Sequence, residues 1–155
     1  MSSAVSVGEI FFAGYMREGE TSSQTSFAYT ASSYTTKREV YDQILIQAFT
    51  LMKEEKYRNR NWDGYDAEPI NFDSFYMLLK DAALFSPAIP TPELILDPMG
   101  NCMMSWMDTR GQLIITFDPN KLEKNYAYSC VDKNCGYGIL QKLENIPSLL
   151  SLIKG

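Results

Sequence analysis

Four carboxylates crowd one short stretch: Asp63, Asp66 and Glu68 within NRNWDGYDAEPINF (59–72), and Asp73 just after it. Carboxylates this close can hold a hard cation, share a proton as an acid/base pair, or present negative charge to a basic partner. The cation reading fails on spacing. Placing Gly64 at the required glycine of a calcium loop puts Asn59, Asn61 and Asp63 at its first, third and fifth positions. Ile70 then falls where a bidentate Glu must sit, which leaves too little charge to hold calcium.

Proton chemistry fares little better. The chain has no histidine, so no Ser-His-Asp or Cys-His couple can form, and the usual acid/base group near neutral pH is missing. Glycosidase-type chemistry needs two carboxylates facing across a cleft, whereas these share one loop. A hydrolase built from Asp63, Asp73 and a distant acid such as Asp97 or Asp108 around a bound cation is the alternative. CGYG (135–138) precedes no Lys-Ser/Thr pair, so it is no phosphate loop. No catalytic residue, metal site or cofactor is assigned.

The three cysteines are Cys102, Cys130 and Cys135, and CVDKNC leaves four residues between the last two, too many for a redox or zinc knuckle. They are expected to be reduced structural thiols.

The third use of carboxylates is the one charge favours. Residues 62–99 hold seven acids against one base, Lys80, while the whole chain carries a net charge of −5. An acidic face repels phosphates and attracts a basic partner. Tyr65, Asp66, Glu68 and Asp73 are therefore the expected contact residues for a protein or nucleoprotein partner. The basic run KYRNR (56–60) keeps a nucleic-acid binder as a further alternative, but it also reads as a solvated helix end, so direct nucleic-acid binding is not expected. Oligomeric state is not readable from the sequence.

The same loop carries architectural signals. Asp63 before Gly64 reads as a turn with positive φ, Trp62 as a buried anchor, and Pro69 as the lead into the next helix. Both roles can coexist.

The flanking elements must position that loop. TKRE (36–39) fits a capping box, and the helix it opens is expected to run to about Tyr57. Its middle, ILIQAFTLM, has seven apolar residues in nine, which predicts cover from more than one side, by a sheet and by the next helix. Asn71 or Asp73 can cap a second helix with Phe72, Phe75, Tyr76 and Leu79 on one face. SPAIPTPE then reads as an extended linker. ELILD, NCMMSWMD, QLIITFD and NYAYSC alternate as strands between Gly-, Pro- and Asn-rich turns, an antiparallel meander. At the N-terminus, 9–18 and 25–32 suggest a hairpin.

The expected fold is α+β: one domain over 1–155, with an N-terminal hairpin arm (1–35), a helical part (36–86), a β-meander (92–130) and a short C-terminal helix (139–153) broken near Pro147. At 155 residues one domain is the natural size. No apolar run approaches the roughly 18 residues of a membrane span. MSSAVSVGEIFFAGYM lacks a basic leader region, so a cytoplasmic protein with no membrane partner is expected.

NWDGYDAEPI, a helix, PTPELILDPMGNCMMSW and LIITFD together resemble a set of small bacterial proteins of unknown function. Their features are a WDGYGA-x-P loop and a Pro-Thr-Pro-Asp-Gly-Gly segment running into a strand with a Trp. The resemblance spans 59 to about 118, and the chain departs from it at Asp66, where the pattern has glycine, and in PELILDPMG. It implies no activity. Since many such proteins look like cargo of phages and mobile elements, it tilts the expectation toward an inhibitor, an antitoxin or immunity protein, or an anti-CRISPR-like anti-defence protein.

Overall fold

Alternation along residues 102–118 sets the architecture. Cys102, Met104, Trp106, Leu113, Ile115 and Phe117 are all buried, and the residues between them face the other side. In the computed structural model these are two central strands of a five-stranded antiparallel sheet. The strands are β1 (Glu93–Leu96), β2 (Cys102–Asp108), β3 (Gly111–Asp118), β4 (Glu123–Cys130) and β5 (Cys135–Ile139), each paired with the next along the chain. The structure describes residues 37–154 and, before them, Glu9–Ile10 and Gly14–Tyr15, two short segments that pair in parallel. The chain divides into two units, Met1–Thr35 and Thr36–Gly155. The expected hairpin between 9–18 and 25–32, and the Thr36 cap, lie outside the described residues.

Helices α1 (Lys37–Lys53), α2 (Phe72–Ala82) and α3 (Ile146–Ile153) pack against the sheet, an α+β fold. Helix α1 buries Val40, Ile44 and Ala48, one residue per turn on a single stripe. It touches α2 and β1, yet Ile46 and Phe49 stay exposed, so the expected cover on several sides is incomplete. The helix also stops earlier than expected. Glu54 is extended (φ −71°, ψ 115°), and a 3-10 turn follows over Glu55–Arg58. Arg58 Nη2 donates to the Met52 carbonyl at 3.1 Å, supplying a partner in the last turn, where helical carbonyls lack one.

One sheet edge is closed by a side chain. Gln47 on α1 donates from Nε2 to the Pro92 carbonyl (2.8 Å) and accepts the Leu94 amide on Oε1 (2.9 Å). A primary amide thus takes the place of a further strand along β1, a guard against edge pairing.

Helix α2 is capped by Asn71, whose side chain accepts the Asp73 amide at 3.0 Å. Its buried face is Ser74, Phe75, Leu78 and Ala82, rotated from the expected one. Phe72 and Tyr76 fall off the edge of that stripe and are 49% and 69% exposed. The segment after α2 does more than link, because Phe85 and Ile89 enter the core and the Pro90 carbonyl accepts the Trp106 indole at 2.8 Å. Lys124 on β4 lies 2.9 Å from Asp81 Oδ2 on α2, both largely buried. That oxygen accepts no well-angled hydrogen bond, so the link is an ion pair.

The meander runs to Ile139 rather than ending at Cys130, and the C-terminal helix begins at Ile146 rather than 139. Gly136 and Gly138 explain the extra strand. They pair with Tyr128 and Tyr126, whose rings lie over them. A Cβ at Gly136 would stand 2.7 Å from the Tyr128 ring, so these glycines make room for cross-strand aromatics instead of breaking the strand. Pro147 sits in the first turn of α3, where its missing N–H costs nothing. It starts the helix rather than breaking it.

Candidate functional site

The loop 59–71 is held by its own short polar side chains. Asp63 Oδ1 accepts the amides of Tyr65 (2.8 Å) and Ala67 (3.1 Å), and Asn61 Oδ1 accepts that of Asp66 (2.6 Å). Asn61, Gly64 and Asp66 have φ of 65°, 82° and 68°, the left-handed region that Gly and Asn/Asp tolerate best. Position 66, glycine in the resembled motif, is one of these. Trp62 donates from its indole to the Glu68 carbonyl at 2.7 Å and meets Tyr57 edge-on at 5.1 Å between ring centroids.

A second turn locks the loop in place. Glu68 N donates to Pro98 O and Asn71 N to Gly100 O, each at 2.8 Å, and Ile70 N reaches Tyr57 O at 2.8 Å. The 97–101 turn is organised by Asp97, whose Oδ1 accepts the amides of Met99 and Asn101, both at 2.9 Å.

Between the two turns and the start of α2 lies an open groove of about 590 Å³, lined by Glu68, Pro69, Ile70, Asn71, Phe72, Asp73, Met99 and Asn120. Of the residues expected to meet a partner, Glu68 and Asp73 line it together. Tyr65 does not line it; it is 88% exposed. Asp66 also lies outside the groove. It and Glu68 converge on a residue the sequence reading placed in the basic run 56–60, as a solvated helix end or a nucleic-acid contact: Arg60 contacts Asp66 Oδ1 at 3.0 Å and Glu68 Oε2 at 2.8 Å. The hydrogen bond that Arg60 donates to Asp66, with the negative charges of Asp66 and Glu68, pushes the Arg60 pKa up. The anionic face is thus partly neutralised from within. Sequence reasoning also missed Phe72, Met99 and Tyr76 as surface residues. Spacing could not have found the first of these, because Phe72 and Phe75 stand three residues apart and so share a helix face.

The alternative constellations are dispersed. Asp63 is turned into its own loop, and Asp73 lines the groove. Asp108 lines a different depression of about 350 Å³ beside Trp106 and Lys154. Among the described residues no group of three or more Cys, Asp or Glu side chains converges. Cys102 is fully buried, and burial pushes its thiol far above the ordinary range. The Cys130 thiol donates to the Leu152 carbonyl at 3.3 Å, while Cys135 is exposed, and all three thiols are free. Of the basic run, Arg58 is bound to α1 and Arg60 to the loop, and the Lys56 ammonium lies 4.9 Å from the Tyr57 ring centre.

Asp97 has a raised pKa, first because of burial, with the amides of Asn101 and Met99 opposing it and the charge of Asp118 adding to it. A carboxyl that binds its proton more tightly when folded favours folding below its unfolded pKa, and that contribution is lost as pH rises through the folded value. Asp97→Asn keeps the acceptor oxygen and removes the charge. Relative to the parent, the variant is expected to gain thermal stability as pH rises from the ordinary carboxylate value of 3.8 toward neutrality. Thermal unfolding at several pH values checks this, and a pH-independent difference would refute it. No family model matches the chain, nor does any curated protein or solved structure.

Proposed function

We propose that the chain acts without catalysis of its own, by binding a macromolecular partner with a basic surface, in the manner of an inhibitor, an immunity protein or antitoxin, or an anti-defence protein of a mobile element. The contact surface is the groove of Glu68 and Asp73, with Phe72 and Met99 on its wall and Tyr76 one turn along α2. The observation that carries the reading is this juxtaposition: two carboxylates beside aromatic and Met side chains that the fold leaves in solvent. Exposed aromatic and Met side chains are the residues that interfaces enrich, and carboxylates at a rim steer a basic partner. Arg60 keeps the Glu68 side chain in place, which lowers the entropy lost on binding.

Affinity capture from a native or phage-infected host identifies the partner, and binding kinetics then test the site. Glu68→Gln with Asp73→Asn should slow association roughly three- to tenfold at low ionic strength, with the effect fading as salt is raised. Phe72→Ala with Tyr76→Ser should instead speed dissociation by about tenfold or more. Unchanged kinetics in both double variants would discard the groove.

A further inference from the structure

The two sheet edges are treated differently. Gln47 closes β1, whereas among the described residues no strand or side-chain amide pairs with the outer side of β5. Leu140 donates to the Lys124 carbonyl and Cys130 to the Asn134 carbonyl, so the even-numbered residues of this segment turn their backbone groups toward β4. The register between β4 and β5 is regular from Ser129↔Cys135 to Asn125↔Ile139. It follows that Cys135, Tyr137 and Ile139 direct their N–H and C=O groups outward, where they form a pairing template. The strand contains no charge and no proline, the usual guards on an edge.

The segment is self-complementary. Laid antiparallel on itself about Tyr137, CGYGI sets Tyr137 opposite its own copy, Gly136 opposite Gly138 and Cys135 opposite Ile139. No like charges meet.

We infer that β5 is a dimerisation edge, on which a second copy of this chain pairs antiparallel about Tyr137 to make one continuous ten-stranded sheet. Tyr137 is 87% exposed, and the two tyrosines lie side by side on the sheet face away from the helices, flanked by Ile139 and Cys135. The outward groups of Cys135, Tyr137 and Ile139 supply both halves of the new ladder, as a twofold isologous contact requires. This surface is independent of the groove.

The full chain, kept reduced, should shift from monomer to dimer in sedimentation over roughly 10–500 µM, as expected of an interface at the small end of specific contacts. Amide exchange at Tyr137 and Ile139 should slow over the same range. Tyr137→Lys opposes two ammonium groups at the twofold, and Tyr137→Pro removes an outward donor, which an edge strand tolerates. Each should weaken dimerisation at least about tenfold. A chain that stays monomeric throughout, including one whose β5 pairs with a different protein's strand, overturns the inference. So does a dimer that persists in both variants.

Discussion

Ser74→Ala is expected to lower the unfolding free energy by roughly 2–4 kcal/mol, read as a drop in the urea midpoint with little change in slope. The Ser74 hydroxyl is fully buried. It donates to the Phe117 carbonyl at 2.6 Å and accepts the Cys102 amide at 2.7 Å. Those two backbone groups belong to the pair that would follow Met103↔Thr116 in the β2–β3 ladder. A hydroxyl from α2 is therefore inserted where the strands part, and it completes the ladder by relay. Alanine leaves a buried donor and a buried acceptor without partners in a site too tight to admit water easily. A loss below about 0.5 kcal/mol would mean that the strands close on each other once the hydroxyl is gone.

Gly100→Ala should be at least as damaging, about 3 kcal/mol or more, and it should also dismantle the groove. Gly100 has φ of 81°, and a Cβ there would stand 2.1 Å from the Pro69 carbonyl oxygen, far inside contact distance. The two turns would have to separate. The Glu68 amide that bonds Pro98 and the Asn71 amide that bonds Gly100 would then exchange with solvent much faster, which hydrogen exchange reads directly. Gly64→Ala is the control. Its φ is 82° with nothing within 4 Å of the new methyl, so only the backbone penalty of about 1–2 kcal/mol applies. Equal losses in the two variants would show that the contact with Pro69 is not what matters.

Much of the fold was legible because it rests on local regularities. The alternation in NCMMSWMD and QLIITFD, the cap at Asn71 and the turn at Asp63-Gly64 each follow from side chains acting on their own backbone. The fifth strand escaped because Gly136 and Gly138 lower strand propensity by themselves. Only Tyr126 and Tyr128, opposite them, make those glycines a fit. Helix α1 looked as though it should be covered on more than one side, yet the fold buries one stripe and leaves Ile46 and Phe49 outside. Apolar composition limits which faces can be buried but does not choose among them.

The candidate site divides along the same line. Sequence alone determined that the chain supplies no imidazole, that its negative charge concentrates in 62–99, and that residues 59–72 form a tight joint. These follow from residue type and spacing within a few positions. Only the tertiary structure decided that Arg60 claims Asp66 and Glu68, that Asp63 turns inward while Asp73 lines the groove, and that Phe72 and Met99 share its wall. It likewise decided that one sheet edge is closed by Gln47, while among the described residues nothing pairs with the other. Each of these depends on residues brought together by packing, through contacts that short-range propensity does not encode.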